Sequence, residues 1–170
     1  MSTERSKDGY QKLLYDFIKE VYVICPACNK QAIVKSNGYP NRDKNDEDIK
    51  LICTSCGHNK RLSETPESII LKSSTKITTG RFLRIGGSID PYFHLPLWLT
   101  TPCCDDILWA YNYQHLDFLK THIEAKHRER NIKEISNKSI GSRLPKWMIS
   151  KKNRDAVLKS ITNLYNKKYK

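Results

Sequence analysis

Two short motifs, CPAC at residues 25–28 and CTSC at residues 53–56, decide how the first part of this chain folds. Within each pair two residues separate the cysteines, and 24 residues lie between the pairs. Cysteines at this spacing can wrap a tight turn so that both thiolates face one ion, and two such turns complete a tetrahedral sulfur shell. The sequence therefore predicts one metal site formed by four thiolates, those of Cys25, Cys28, Cys53 and Cys56.

The residues that follow the two pairs favour a closed zinc site. Zn²⁺ suits four thiolates, although an iron site of the rubredoxin type has the same ligand set. Gly57 follows the second pair and supplies the backbone freedom that such turns favour. Asn29 occupies the matching position after the first pair and also tolerates a left-handed conformation. We therefore expect one structural zinc ion.

Short apolar runs flank the cysteine pairs and predict strands, namely VYVI (21–24), QAIVKS (31–36) and IKLIC (49–53). The stretch NGYPNRDKNDED (37–48) is rich in turn formers and charge, and it predicts an exposed hairpin tip. Together with CPAC and CTSCG, this arrangement resembles the zinc ribbon of general transcription factor IIB and elongation factor IIS over about residues 21–63. The resemblance implies a small three-stranded ribbon with a closed, structural zinc.

The stretch before the ribbon predicts a helix. Within GYQKLLYDFIKE (9–20), four apolar residues recur at helical spacing, namely Leu13, Leu14, Phe17 and Ile18. We therefore expect residues 1–20 to form an N-terminal amphipathic helix.

The remainder of the chain predicts strands followed by helices. Residues 61–100 alternate apolar and polar residues around Gly and Pro, which indicates further strands with a turn at Gly86–Gly87. Residues 113–130 predict one helix, and residues 150–169 predict another with Ser150 as its N-cap. The apolar stripes of these helices are Leu116, Leu119 and Ile123 in the first, and Val157, Ile161, Leu164 and Tyr165 in the second.

The complete pattern predicts an α+β protein packed as one unit. Its segments are an N-terminal helix at 1–20, the zinc ribbon at 21–63 and an α+β region with basic C-terminal helices at 64–170. Within that last region, PLWLTTPCC, LWAYNYQHLDFL, and RLPKWM followed by KNRDAVLKSI are similar to an uncharacterised group of bacterial cytosolic zinc-ribbon proteins. The resemblance implies a bacterial origin and a single integrated domain, and it implies no chemistry.

The stretch TTPCCDD (100–106) raises three alternatives for Cys103 and Cys104: a second zinc site, a reactive pair or a place in the core. Adjacent side chains in a strand point to opposite faces, which disfavours a shared ion. Asp105 and Asp106 should raise the thiol pKa, which disfavours a reactive thiolate. We expect at least one cysteine to be buried, with Pro102 shaping the turn. The histidines considered as further zinc ligands are His115, His122 and His127.

The sequence gives no positive sign of an enzyme. His122-Ile-Glu124 matches the H-x-E part of the zinc deaminase signature, but the required P-C-x-x-C does not follow it. The histidines on the predicted helix are instead expected to be partly exposed beside Phe118. The glycines of GRFLRIGGS (80–88) form no phosphate-binding fingerprint, and no nucleophile, base and acid stand in a recognisable arrangement. We expect a non-enzymatic protein without a small-molecule substrate.

The charge of the chain is concentrated near its C-terminus. The net charge is +12, and residues 111–170 carry fifteen Lys/Arg against five Asp/Glu, a net of +10. Such a field attracts DNA or RNA. The alternative is a protein–protein interaction module, namely an adaptor, inhibitor or immunity-type subunit, whose basic end engages an acidic partner protein. Exposed aromatic residues among these cations, with Trp147, Tyr165 and Tyr169 as candidates, could stack on unpaired bases. The residues predicted to contact phosphates are Arg143, Lys146, Lys151, Lys152, Arg154 and Lys159.

The sequence also predicts the compartment. No apolar run approaches the roughly 18–20 residues that a transmembrane helix needs. The first residues, MSTERSKDGYQK, lack the apolar stretch of a secretory signal. We therefore expect a cytoplasmic protein that does not contact membranes, in a reducing compartment where cysteines bind metal more often than they form disulfides.

Overall fold

The structure is a computed structural model that describes residues 12–37, 46–125 and 139–167, and the backbone alone at 5–6 and 127–128. It contains both helices and strands, as the α+β prediction expects. The strands are β1 Arg5–Ser6, β2 Glu20–Ile24, β3 Gln31–Lys35, β4 Lys50–Ile52, β5 Asn59–Arg61, β6 Ser68–Lys72, β7 Ile77–Gly80, β8 Leu99–Cys103, β9 Asp106–Ala110 and β10 His127–Arg128. The α-helices are α1 Tyr113–Glu124, α2 Ile140–Arg143, α3 Lys146–Ile149 and α4 Arg154–Asn166.

In the described part of the chain, the strands form four small sheets. Strands β2, β3, β4 and β5 make an antiparallel sheet in that order, β6 pairs with β7, and β8 pairs with β9, both antiparallel. The short β1 and β10 pair in parallel. Single 3₁₀ turns connect some of these elements, at Leu14–Phe17, Asp46–Asp48, Leu62–Glu64 and Lys151–Asn153.

The chain divides into two compact units, whereas the sequence predicts one. Residues 18–98 form the first, here called the ribbon unit, and residues 1–17 with 99–170 form the second, here called the helical unit. The predicted segment boundaries at residues 20/21 and 63/64 stay predictions.

The core of the ribbon unit lies on one face of its sheet. Val21 pairs with Val34, which pairs in turn with Leu51, and all three side chains are buried. Because side chains alternate along a strand, the buried residues of β2 and β3 fall on every second position. Burying each of these side chains stabilises the sheet by roughly 1.5–3 kcal/mol.

The ribbon sheet has four strands, so the expectation of three strands is wrong. After the second cysteine pair the chain turns back and β5 pairs with β4, with Lys60 opposite Leu51. The sequence of β5, Asn59-Lys60-Arg61, is polar because two of its three side chains are exposed. It therefore lacks the apolar alternation by which strands are recognised. For the predicted tip at residues 37–48, residues 38–45 lie outside the described residues.

The predicted N-terminal helix is not observed in the described part of residues 9–20. Only the 3₁₀ turn Leu14–Phe17 forms, and the chain enters β2 at Glu20. Tertiary hydrogen bonds take the carbonyl groups that a helix would use: Asn112 Nδ2 donates to the carbonyl of Phe17 at 2.9 Å, and the Ile140 N–H donates to that of Lys12 at 2.9 Å. Residues 9–11 lie outside the described residues.

In the helical unit, α1 and α4 pack against each other and against the β8–β9 hairpin. The predicted stripe Leu116, Leu119 and Ile123 is buried on α1. On α4, Val157, Ile161 and Leu164 are buried and Tyr165 is half-buried. Both predicted helices are therefore confirmed, although α1 ends at Glu124 and not at Arg130, which lies outside the described residues.

The predicted cap of the last helix is wrong. Ser150 precedes the 3₁₀ turn Lys151–Asn153 and its side chain makes no capping hydrogen bond, so α4 begins only at Arg154. Asn153, which directly precedes α4, donates from Nδ2 to the Trp147 carbonyl at 3.1 Å. That contact fixes the turn between α3 and α4.

The predicted partial exposure of the α1 histidines is also wrong. His115 and His122 are 2% and 1% exposed. His115 stacks on Phe17, with ring centroids 4.9 Å apart, and its Nδ1 accepts the Tyr111 N–H at 3.2 Å. Burial lowers the pKa of His115 to about 3, so the ring is neutral. The expected neighbour Phe118 is present and stacks on His122.

Candidate metal centre

Each cysteine pair sits in a tight turn, and the two turns share one backbone pattern. In the first, between β2 and β3, the Cys25 N–H donates to the Lys30 carbonyl and the Asn29 N–H donates to the Cys25 carbonyl. In the second, between β4 and β5, the Cys53 N–H donates to the His58 carbonyl and the Gly57 N–H donates to the Cys53 carbonyl, at the same sequence offsets. Two equivalent turns therefore present four thiols.

The residue after each pair adopts the left-handed conformation that the sequence predicts. Asn29 has φ 59° and Gly57 has φ 76°. This region is unfavourable for most L-residues but accessible to Gly and Asn. The conformation reverses the chain directly behind the second cysteine, so both sulfurs of a pair face the same side.

The four sulfur atoms have the spacing of a tetrahedral metal site. Cys25 Sγ and Cys56 Sγ are 3.7 Å apart, and Cys28 Sγ and Cys53 Sγ are 3.6 Å apart. All four lie within 4.8 Å of one another. A tetrahedron with metal–sulfur bonds of about 2.3 Å has sulfur–sulfur edges of about 3.8 Å. The four cysteines are thus positioned to bind one metal ion, and the prediction that they form a single cluster is confirmed.

The electrostatics of the cluster favour a bound cation. Burial opposes ionisation of Cys53, but the backbone N–H groups of Cys56 and Ser55 outweigh it and lower the pKa of Cys53 to about 6. At Cys56 the backbone N–H of His58 favours the thiolate, but the sulfurs of Cys28, Cys53 and Cys25 raise its pKa to about 12. Four crowded sulfurs therefore do not all ionise unless a cation compensates them, and metal binding releases protons.

The adjacent cysteines Cys103 and Cys104 lie at the turn between β8 and β9. Cys103 is 7% exposed, which confirms that at least one of the two is buried. Cys104 and Asp105 form the turn, with φ 54° and 63°. Pro102 does not shape it, since it lies within β8 opposite Ile107. The left-handed turn also overturns the expectation of opposite faces, because the two sulfurs are 3.5 Å apart.

The residues predicted to contact phosphates lie between α2 and the middle of α4. Five are exposed, and Arg154 is half-buried at the start of α4. Among the described residues, none of the six joins an ion pair. The aromatic residues among them are less available: Trp147 Nε1 is buried, and the Tyr165 hydroxyl donates to Asp117 while its ring stacks on Tyr113. Tyr169 lies outside the described residues.

One surface feature of the ribbon unit, the exposed apolar face of the β6–β7 hairpin, is not predicted by the sequence. Its apolar side chains are more than half exposed at Ile69, Leu71 and Ile77, with exposed fractions of 57%, 61% and 58%. The run SIILK predicts a strand, but its local pattern does not show whether another element covers that strand. At the base of the hairpin Arg81 donates to Asp46, Glu67 and the carbonyl groups of Ser63 and Thr65.

A scan against models of protein families matched none, and searches of curated proteins and of solved structures also found no match. The likenesses to the ribbons of transcription factors and to bacterial zinc-ribbon proteins therefore stay resemblances. In the described part of the chain, no helix is both long enough and apolar enough to span a bilayer.

Proposed function

We propose that this chain is a non-enzymatic cytoplasmic zinc protein that binds nucleic acid through its basic helical segment. Zinc is proposed because four thiolates at tetrahedral spacing suit this ion, and because a shell made only of sulfur leaves no position for a catalytic water. In a segment this short, metal binding supplies folding free energy that apolar burial alone does not.

The observation that supports nucleic-acid binding is the exposure of five cations within residues 139–167, none of which joins an ion pair among the described residues: Arg143, Lys146, Lys151, Lys152 and Lys159. This segment contains seven Lys/Arg and one acidic residue, Asp155, a net of +6. Its apolar side chains Ile140, Met148 and Val157 are buried, whereas five of the seven cationic side chains are exposed and those of Arg154 and Lys167 are half-buried. Clustered cations of this kind neutralise phosphates and release the counterions condensed on nucleic acid.

The proposed contacts are to phosphates and not to bases. Stacking on unpaired bases requires exposed aromatic rings. Trp147 and Tyr165 are instead engaged within the helical unit. We therefore expect little sequence preference and a strong dependence on salt.

The test is binding of a fluorescent DNA or RNA duplex at a series of salt concentrations. The variant Lys151→Gln/Lys152→Gln/Arg154→Gln removes three cations from the segment, while Lys12→Gln/Lys19→Gln/Lys30→Gln removes three exposed cations elsewhere. For a duplex, the first variant should flatten the slope of log K against log salt by up to about 2.7, because each phosphate contact contributes about 0.9.

Two results would count against nucleic-acid binding. One is the absence of affinity for DNA and RNA at low salt. The other is an equal loss in both triple variants, since total charge would then explain the binding without a role for residues 151–154.

A second candidate function, engagement of an acidic partner protein, is favoured by the β6–β7 hairpin. Exposed apolar patches mark interaction sites on soluble domains. The hairpin sequence SIILKSSTKITTG contains two lysines, Lys72 and Lys76, and no acidic residue. Arg81 fixes the base of the hairpin to neighbouring acceptors. A partner with an apolar patch bordered by carboxylates would complement this surface.

This candidate is tested by Ile69→Thr/Leu71→Thr, which keeps strand propensity and removes apolar area. A partner captured by the wild-type chain should form a 1:1 complex with that chain after purification. The hairpin variant should bind this partner more weakly, whereas Lys151→Gln/Lys152→Gln/Arg154→Gln should bind it as tightly as the wild type. Equal binding of the hairpin variant would exclude the hairpin as the contact.

A further inference from the structure

The thiol groups of Cys103 and Cys104 are held side by side by the backbone of the β8–β9 turn. Cys103 ends β8 and pairs with Asp106, so Cys104 and Asp105 are the two residues of the loop. Both are left-handed, with φ 54° and 63°, as in the two-residue turns that match the twist of a hairpin. This backbone brings the sulfurs to 3.5 Å, with Cys103 buried and Cys104 half-buried.

We propose that these two thiols form a binding site for a trivalent, thiophilic group of the organoarsenical class, bonded to both sulfurs. Bonds of about 2.3 Å that meet at about 100°, as at a pyramidal three-coordinate centre, place two sulfurs about 3.5 Å apart. A linear two-coordinate ion with the same bonds would need about 4.6 Å. The observed separation of 3.5 Å matches the pyramidal centre.

Other uses of the pair fit the structure less well. A four-coordinate zinc site needs further ligands, and among the described residues the only group of three or more potential ligands is the ribbon cluster. A disulfide requires the sulfurs to approach to about 2.05 Å within an eight-membered ring. Burial, the Cys103 thiol and the Asp105 carboxylate also raise the pKa of Cys104, so little thiolate is present to begin disulfide exchange.

The binding reaction is a condensation without a change of oxidation state. With phenylarsine oxide as the probe, two arsenic–sulfur bonds form and the bonds from arsenic to oxygen break. The two thiol protons leave with that oxygen as one water molecule, and arsenic stays trivalent throughout. Cys104 is the more accessible sulfur and reacts first, and closure onto Cys103 then links the end of β8 to the first residue of the turn.

The test uses the full chain loaded with zinc, so that the ribbon thiols are occupied, and native mass spectrometry counts zinc and arsenical on each molecule. The wild-type chain should bind one phenylarsenic group and keep its zinc. Cys104→Ser should bind at least about 100-fold more weakly, because the second bond gains from the effective concentration of a linked group. Asp105→Gly, which keeps both sulfurs and suits a left-handed position, should bind like the wild type.

Cys104→Ser is the decisive variant because its side chain lies in the turn, whereas Cys103→Ser also changes the core. An unchanged far-ultraviolet circular dichroism spectrum confirms that the variant is folded. Failure of the wild type to bind while zinc is retained would overturn the proposal, as would undiminished binding by Cys104→Ser. Binding accompanied by stoichiometric loss of zinc would assign the reaction to the ribbon thiols and would also overturn it.

Discussion

The ribbon unit and the helical unit both contain cysteine pairs, but the pairs have different surroundings. In the ribbon unit, two turns with matching hydrogen bonds bring four sulfurs within 4.8 Å of one another. In the helical unit, one adjacent pair lies at a hairpin turn, and the core is built from the apolar stripes of α1 and α4 with buried histidines.

The difference shows that spacing and backbone conformation, rather than residue type, decide what a cysteine does. Two intervening residues followed by a left-handed residue orient both sulfurs of a ribbon pair toward one point. Zero spacing within a left-handed turn also brings two sulfurs together, but supplies only half of a tetrahedral shell. The stability of the ribbon unit should therefore depend on a bound metal, and the stability of the helical unit should depend on the packing of its apolar side chains.

The largest expected effect comes from removing one ribbon thiolate. Cys25→Ser should abolish stable metal binding and unfold the ribbon unit, because structural zinc contributes about 10–16 kcal/mol to comparable small folds. Nuclear magnetic resonance should show the loss of dispersed signals from residues 18–98, while signals from α1 and α4 persist. Cys104→Ser is the matched control and should leave both sets of signals in place. An equal loss of dispersed signals from both units would contradict the conclusion that the metal stabilises the ribbon unit and packing stabilises the helical unit.

Acid should destabilise the helical unit through His115. Its pKa of about 3 lies below the ordinary value of 6.5, so it contributes stability above pH 6.5 that is lost as pH falls toward 3. The full loss is up to roughly 5 kcal/mol. Urea unfolding can be followed at a series of pH values through the indole signal of Trp109, whose ring contacts His115. The free energy of unfolding should fall as the pH is lowered. In His115→Phe the free energy of unfolding should depend less on pH. An unchanged pH dependence would exclude His115 as its cause.

Substitutions at the left-handed positions sharpen the comparison within the ribbon unit. Gly57→Ala and Asn29→Ala should each destabilise the metal-bound turn by about 1–2 kcal/mol, because a β-carbon is unfavourable in the left-handed conformation. Competition with a chelator should then give zinc affinities lower by roughly 5- to 30-fold. Asn29→Gly is the control and should bind zinc about as tightly as the wild type. Equal affinities in both alanine variants and the wild type would show that these turns do not limit metal binding.

The smallest expected effect is a stabilisation at the turn of the helical unit. Asp105→Gly should raise the free energy of unfolding by roughly 0.5–1 kcal/mol, because glycine adopts a left-handed conformation without strain. Chemical denaturation followed through α-helix content measures the change. Asp106→Gly, at a strand position of β9, should instead destabilise the unit. A loss of stability in Asp105→Gly would mean that its side chain contributes more than its backbone conformation costs.

The sequence predicts those features that depend on local spacing. The four ligands follow from the Cys-x-x-Cys pattern, and the left-handed turns follow from Asn29 and Gly57. The stripes on α1 and α4 follow from apolar residues at helical intervals, because those helices do bury one face.

The remaining features depend on tertiary contacts that no local pattern contains. Leu14–Phe17 has helical periodicity, yet Asn112, distant in sequence, takes the Phe17 carbonyl. Strand β5 is polar and forms because β4 offers a free edge. His115 resembles a surface residue in the sequence but is enclosed by the rings of Phe17, Trp109 and Tyr111. The short distance between the sulfurs of Cys103 and Cys104 depends on a left-handed turn. The residues of that turn, Cys104 and Asp105, do not predict this conformation from the sequence.

The most direct test of the central claim is the metal content of the purified chain, measured by plasma mass spectrometry on the wild type and two variants. We predict about one zinc per chain in the wild type, none in Cys25→Ser, and one in Cys104→Ser. Two zinc ions per chain, or one that survives Cys25→Ser, would contradict the assignment of a single metal site to Cys25, Cys28, Cys53 and Cys56.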